Sequence, residues 1–221
     1  MTGRAAPDEV WGELMRGNAR FVGGTPAHPR QDVERRHQLA AAQRPRAALF
    51  GCSDSRLAAE IIFDLGLGDL FVVRNAGQVI SDSVVGSLEY AVAVLDVSLI
   101  VVLGHDECGA VAAAIDSIAP DAAPLPAQIW RHIAPIVPAV RRVQAAGGGP
   151  PDPDRVGREH LRDTVAELLR SSELIAQAVA DGRTALVAAT YRLDQGVTEP
   201  DFAVGDVPSA ARAHHDREEH P

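Results

Sequence analysis

Cys52 and Cys108 are the only cysteines of the chain, and His105 stands three residues before the second of them. Two soft thiolates and an imidazole suit zinc, which they bind at about 2.3 Å through sulfur and about 2.0–2.1 Å through nitrogen. Structural zinc sites usually close with four protein ligands; here the thiolates end at two, and a three-ligand site leaves a fourth position for water. Zinc lowers the pKa of that water from about 15.7 to about 7, so hydroxide is available at neutral pH. Asp54, two residues past the first cysteine, is placed to orient the hydroxide. Arg56, two further on, can hold Asp54 ionised with paired hydrogen bonds. Competing readings are two inert buried thiols, a Cys52–Cys108 disulfide, and an ordinary Asp54–Arg56 ion pair. Asp106 and Glu107, lying between two ligands, read as residues that favour the start of the following helix through its dipole.

Such a cluster needs elements that bring distant residues together. Ala47–Phe50 is an apolar run ending at Gly51-Cys52, and Leu70–Val73 one ending at Arg74-Asn75-Ala76-Gly77. Leu99–Leu103 is a third, ending at Gly104-His105, and Ala185–Tyr191 a fourth. Ser83–Leu95 reads as a helix. Two long helical stretches follow the third run, and the second carries Val156, Leu161, Val165, Leu168, Leu169, Ile175 and Val179 as one stripe. Continuous apolar runs separated by helices indicate a parallel sheet covered on both faces. The predicted fold class is therefore α/β: a mainly parallel central sheet of about four to five strands flanked by helices. Open parallel sheets place their sites at the carboxyl ends of strands, where the topology switches. If the first and third strands are neighbours, Cys52 and His105 meet there.

The chain reads as one domain with a core over residues 47–200. Residues 1–46 form an Arg-rich helical arm, with Val10, Trp11, Leu14 and Met15 at helical spacing and a second short helix over Val33–Ala42. Neither helix can bury its apolar face alone, so the arm must lie on the main domain or on a partner chain. Residues 201–221, acidic and poor in apolar side chains, are expected to be a mobile tail; His214, His215 and His220 lie in it.

Apolar residues make up 46% of the chain, enough for a sizeable core. A net charge of −9 argues against a nucleic-acid or anionic-membrane partner. No apolar run approaches the roughly 20 residues of a membrane span, and Met1–Phe21 has no uninterrupted apolar stretch of signal-peptide type. A cytoplasmic location is the expectation. All 21 basic side chains are Arg, a bias better explained by a GC-rich genome than by function.

Cys52-Ser53-Asp54-Ser55-Arg56, followed by His105-Asp106-Glu107-Cys108-Gly109, resembles the β-carbonic anhydrases, and the bacterial ones most. The similarity extends from Gly17-Asn18-Ala19-Arg20-Phe21 through Glu89-Tyr90-Ala91-Val92 to the Tyr191 strand. The resemblance implies reversible hydration of carbon dioxide to bicarbonate, with Zn2+ on Cys52, His105 and Cys108 and with Asp54 and Arg56 as the pair beside it. It implies that Gln43 hydrogen-bonds bicarbonate and that Phe71, Tyr90 and Gly109 line the substrate pocket. It also implies a homodimer, often paired into a tetramer, with the N-terminal arm reaching onto the partner subunit. In some relatives the aspartate matching Asp54 swings onto the metal. A subgroup has an inhibitory bicarbonate site built from Trp, Arg and Tyr; Arg74 and Tyr191 match two of these, but Leu49 stands in place of the Trp. A relative that hydrolyses carbon disulfide and a non-catalytic zinc scaffold are the rival functions on the same ligands.

Overall fold

The computed structural model describes residues 4–147 and 149–210. Five strands form one sheet: β1 (Ala47–Cys52), β2 (Leu70–Asn75), β3 (Leu99–His105), β4 (Ala185–Arg192) and β5 (Val197–Val204). Their order is β2-β1-β3-β4-β5; the first four run parallel and β5 pairs antiparallel with β4. The chain moves outward from β1 to β2 and then returns across β1 to β3. That reversal is the switch point of the sheet. Nine helices flank it among the described residues: α1 (Pro7–Val22), α2 (Val33–Gln38), α3 (Ala59–Ile62), α4 (Asp82–Ala93), α5 (Gly109–Asp116), α6 (Ala127–Ile133), α7 (Val137–Gly147), α8 (Pro153–Ser171) and α9 (Glu173–Ala180). This is the expected α/β architecture.

β1 and β3 are buried along their whole length, which is why they read as unbroken apolar runs. Alternation still decides which layer each side chain joins. Leu49, Val101, Leu103, Val187 and Ala189 pack with Trp11, Leu14, Ile62 and Phe63 on one face. Ala48, Phe50, Ile100, Val102, Leu186 and Ala188 pack with Leu88, Leu161, Leu168 and Ile175 on the other. A third cluster, with Val111, Ile136, Val140 and Val156, roofs the carboxyl ends of the strands and includes Cys52 and Cys108.

The N-terminal arm packs through its first helix. α1 begins with Pro7 in its first turn and lays Val10, Trp11 and Leu14, each no more than 2% exposed, on its own chain. Its seat is made by α3 and β5 as well as the sheet face. Of the two seats the sequence allowed, the main domain or a partner chain, the apolar stripe of α1 takes the main domain of its own chain. α2 buries no side chain and stops at Gln38, short of Ala42.

The core also extends past residue 200. Asp201–Val204 complete β5, and Val207 and Ala210 are buried beyond it. Pro200 and the neighbouring acids disguise this strand in the sequence. Proline is tolerated because β5 is an edge strand and Pro200 sits at a register shift opposite Ala189. Residues 211–221 of the expected tail, with their histidines, lie outside the described residues. The apolar stripe from Val156 to Val179 is divided between α8 and α9 by Ser172, which is extended (φ −131°, ψ 102°) and caps α9 by accepting from the Ile175 N–H.

Candidate metal centre

Cys52 ends β1 and His105 ends β3, and these strands are neighbours. Cys108 precedes the first residue of α5, so its sulfur lies at a helix N-terminus, where the dipole favours a thiolate. The turn between His105 and Cys108 is made possible by Glu107 in a left-handed conformation (φ 49°). One ligand atom from each of the three residues lies within 4.8 Å of the others, and no fourth Cys, His, Asp or Glu atom among the described residues joins them. All three side chains are buried, at 5–7% exposure.

The chemistry of these atoms fits a metal. His105 Nδ1 lies 2.6 Å from the Asp106 carbonyl oxygen, which can only accept, so Nδ1 carries the proton. Nε2 is then a bare acceptor, and it is buried with no hydrogen-bond partner. A buried acceptor with nothing to accept is costly unless something electrophilic faces it. The sulfurs are similarly poised. The Cys108 thiol hydrogen-bonds Cys52 and pulls its pKa far down against the cost of burial; the N–H groups of Gly77 and Asp54 add to this. Cys108 is pushed up by the Cys52 sulfur and by burial. Both sulfurs must be thiolates to bind a divalent ion, so metal binding at this pair would release protons. Two sulfur donors and one nitrogen donor with these properties match zinc.

Asp54 stands beside the cluster. Arg56 donates to its carboxylate through Nε (2.9 Å), Nη2 (2.7 Å) and its own backbone N–H (2.9 Å). This fork holds the Asp54 carboxyl well below the usual carboxylate range. Arg56 also donates to the Glu107 carbonyl at 3.3 Å, tying the two ligand loops together. Arg74 donates to the carbonyls of Cys52 (2.8 Å) and Asp54 (2.6 Å), which fixes the end of β1.

Not every expected residue comes to this place. Gln43 precedes β1 and sits with Glu13, Arg44 and Arg46 at the opposite end of the sheet, a strand length of about 17 Å from Cys52. Phe71 is registered with Ala48, near the start of β1, and its ring lies 6.1 Å from that of Tyr90 on α4. Tyr90 is 46% exposed. Within one chain these three do not line the cluster, whereas Gly109 follows Cys108 directly. Asp106 does not favour the helix start as expected. Its carboxylate accepts from the Leu193 N–H (2.9 Å) and faces Arg192, which also pairs with Asp154 and Glu199. Leu49 and Tyr191 are buried in the core on the α1 side.

The sequence assigned no role to Gly77, His132 or His160, yet Gly77 touches Cys52 and the two histidines reach the loop that carries Gly77. Gly77 N–H donates to Cys52 Sγ at 3.3 Å. The signal for His160 was available: it is a polar residue at helical spacing from Val156 and Thr164, inside an apolar stripe.

A family model described as carbonic anhydrase matches residues 47–198. The carbonic anhydrase of Mycolicibacterium smegmatis is 48% identical over 202 residues, covering 91% of this chain and 96% of that protein. Carbonic anhydrase 2 of Mycobacterium tuberculosis is 50% identical over 192 residues, covering 86% and 90%. Among solved structures, the Coccomyxa β-carbonic anhydrase in complex with acetazolamide matches with a TM-score of 0.68 at 24% identity, over 93% of this chain and 94% of that one. A tetrameric β-carbonic anhydrase from Sordaria macrospora matches with a TM-score of 0.65 at 24% identity, over 86% and 95%. At these identities the structural matches speak for the fold.

Proposed function

Since the chain belongs to the β-carbonic anhydrase family, whose general activity is hydration of carbon dioxide, we propose that it catalyses this reaction reversibly at a zinc ion held by Cys52, His105 and Cys108. The reading is carried by three ligand atoms, from two adjacent strand ends and one helix start, meeting within 4.8 Å where His105 Nε2 has no other partner. Zinc supplies Lewis acidity there, bringing hydroxide within reach at neutral pH.

The chain's own residues supply orientation. Asp54, kept ionised by the Arg56 fork, is the acceptor that aligns the attacking hydroxide. Apolar side chains around the cysteines, Val79 and Val111 among them, exclude water and favour an uncharged substrate. The product bicarbonate leaves and the proton passes to solvent.

Gln43, Phe71 and Tyr90 belong to this reading as residues that act on a neighbouring copy's site, because they are remote from the cluster of their own chain. The functional unit is then at least a homodimer, and tetramers such as that of the Sordaria macrospora relative are the next level. With Leu49 in place of an indole donor, the inhibitory bicarbonate site is incomplete. The two free thiols the site needs favour a reducing compartment, in keeping with a cytoplasmic location.

Stopped-flow hydration of carbon dioxide at pH 8, with zinc measured per chain, tests this function, and carbon disulfide is offered in parallel. Asp54→Asn is expected to keep zinc and lose about 10²–10⁴ in turnover. Cys52→Ser is expected to lose the metal. A zinc-loaded protein with no hydration rate rejects the function; equal metal loss in both variants removes Asp54 from its role.

A further inference from the structure

Two histidines outside both ligand motifs converge on the loop that follows β2. This loop turns at Gly77 (φ 79°) and Gln78 (φ 40°), and the turn aims the Gly77 N–H at Cys52 Sγ, 3.3 Å away. The carbonyl of that same peptide unit, on Ala76, lies 2.6 Å from His132 Nε2. The next carbonyl, on Gly77, lies 2.7 Å from His160 Nε2. A carbonyl oxygen only accepts, so each imidazole carries its proton on Nε2 and donates. His132 comes from α6 and His160 from α8, two elements far apart in sequence. Asn75 closes the loop from within, its side chain bonded to both the N–H (2.9 Å) and the carbonyl (2.7 Å) of Val79.

The arrangement carries a cost that packing alone does not explain. His160 is 3% exposed, and its Nδ1 is buried without a partner. Burial pushes its pKa down, which keeps the ring neutral. An apolar residue of similar size would fill the place without stranding a polar atom. What the histidine adds is a donor to the Gly77 carbonyl. Donation to the Ala76 carbonyl by His132 also polarises the peptide whose N–H faces the sulfur, since hydrogen bonds in a chain strengthen one another.

We propose that His132 and His160 are positioning residues of the metal centre: they clamp two successive carbonyls so that the Gly77 N–H stays on Cys52 Sγ, draws charge from the thiolate and fixes the direction in which it meets the ion. The proposal rests on the reading that Cys52 is a metal ligand. Groups of this kind around a metal site change its affinity by about 10–100-fold when removed.

The test uses the full chain loaded with zinc or with cobalt(II), and the variants His132→Leu, His160→Leu and His132→Gln. Zinc release to a chelator is expected to be about 10–100-fold faster in both Leu variants. The thiolate-to-cobalt charge-transfer band is expected to move to longer wavelength, because a sulfur that loses a hydrogen bond gives up electrons more easily. His132→Gln, which keeps an N–H donor, is expected to restore both readouts. Folded Leu variants whose band and zinc release match the parent overturn the clamp, as does a lowered melting temperature with an unmoved band. Should His160→Leu fail to fold, His132→Leu decides alone, because its side chain is nearer the surface. A parent chain that takes up neither metal overturns the metal reading and the clamp together. That outcome is distinct from one in which parent and variants share the same band.

Discussion

Replacing Gly77 with alanine probes the most constrained backbone position near the candidate metal centre. Its φ of 79° is left-handed, where a side chain costs about 1–2 kcal/mol. An added Cβ would also lie 2.7 Å from Ala110 Cβ and 3.2 Å from Ile136 Cδ1. Ile136 can move the tip of its side chain; Ala110 cannot, because its Cβ is fixed to the backbone of α5. Overpacking of this kind costs about 1–3 kcal/mol. The two effects together come to about 2–5 kcal/mol, or roughly 5–20 °C in Tm for a domain of this size. Relief of the clash pushes Ala110, two residues from Cys108, and draws the Gly77 N–H off Cys52 Sγ. Zinc release is therefore expected to quicken by about 10–100-fold. Urea unfolding under reducing conditions reads the first effect, and chelator competition the second. Gly157→Ala in α8 is the contrast: its Cβ would meet nothing within 4 Å, and a gain of about 0.4–1 kcal/mol is expected. Gly77→Ala with the parent's stability refutes the steric reasoning. Gly77→Ala that is destabilised but holds zinc as tightly refutes the link from this peptide to the thiolate.

Trp11→Ala should cost about 3–5 kcal/mol in urea unfolding, because the indole is 2% exposed against the sheet of its own chain; a loss under about 1 kcal/mol contradicts that packing. Asp64 is buried, which alone would raise its pKa, but the N–H groups of Ala27 and His28 and the side chain of Arg20 outweigh burial and lower it. Its stabilisation is thus present above the ordinary value of 3.8 and is lost as pH falls below it. Asp64→Asn should flatten the decline of the urea midpoint between pH 5 and pH 3, and an unchanged decline would place the titration elsewhere. Removal of metal under oxidising conditions should cost the protein both of its thiols within one chain, because the Cys52 and Cys108 sulfurs belong to a cluster within 4.8 Å; thiol titration of apo and zinc-loaded protein checks it, and equal oxidation of both forms counts against a metal at this site.

Local chemistry was enough to read some of the protein from its sequence. Four strands announced themselves as apolar runs, three of them (β1, β3 and β4) because both faces of the sheet are covered there, and the ligand residues closed two of those runs. Since parallel strands carry their sites at one end, residue type and position at a strand end together pointed to Cys52 and His105. Asp54 and Arg56 lie within a few residues of Cys52, so their pairing needed only a short loop. What the sequence could not decide were contacts made across long separations. β5 was hidden because an edge strand beside a bulge tolerates Pro200. The seat of α1 depends on that same strand, so with β5 hidden the sequence left the main domain and a partner chain both open for it. Gln43 sits nine residues before Cys52, yet an extended strand carries it to the far end of the sheet. The converse holds for His132 and His160, which are remote from Cys52 in sequence and reach its neighbouring loop only because α6 and α8 pack over the strand ends. Periodicity reports which face of an element is apolar, whereas the meeting of two faces is set by packing across the whole chain.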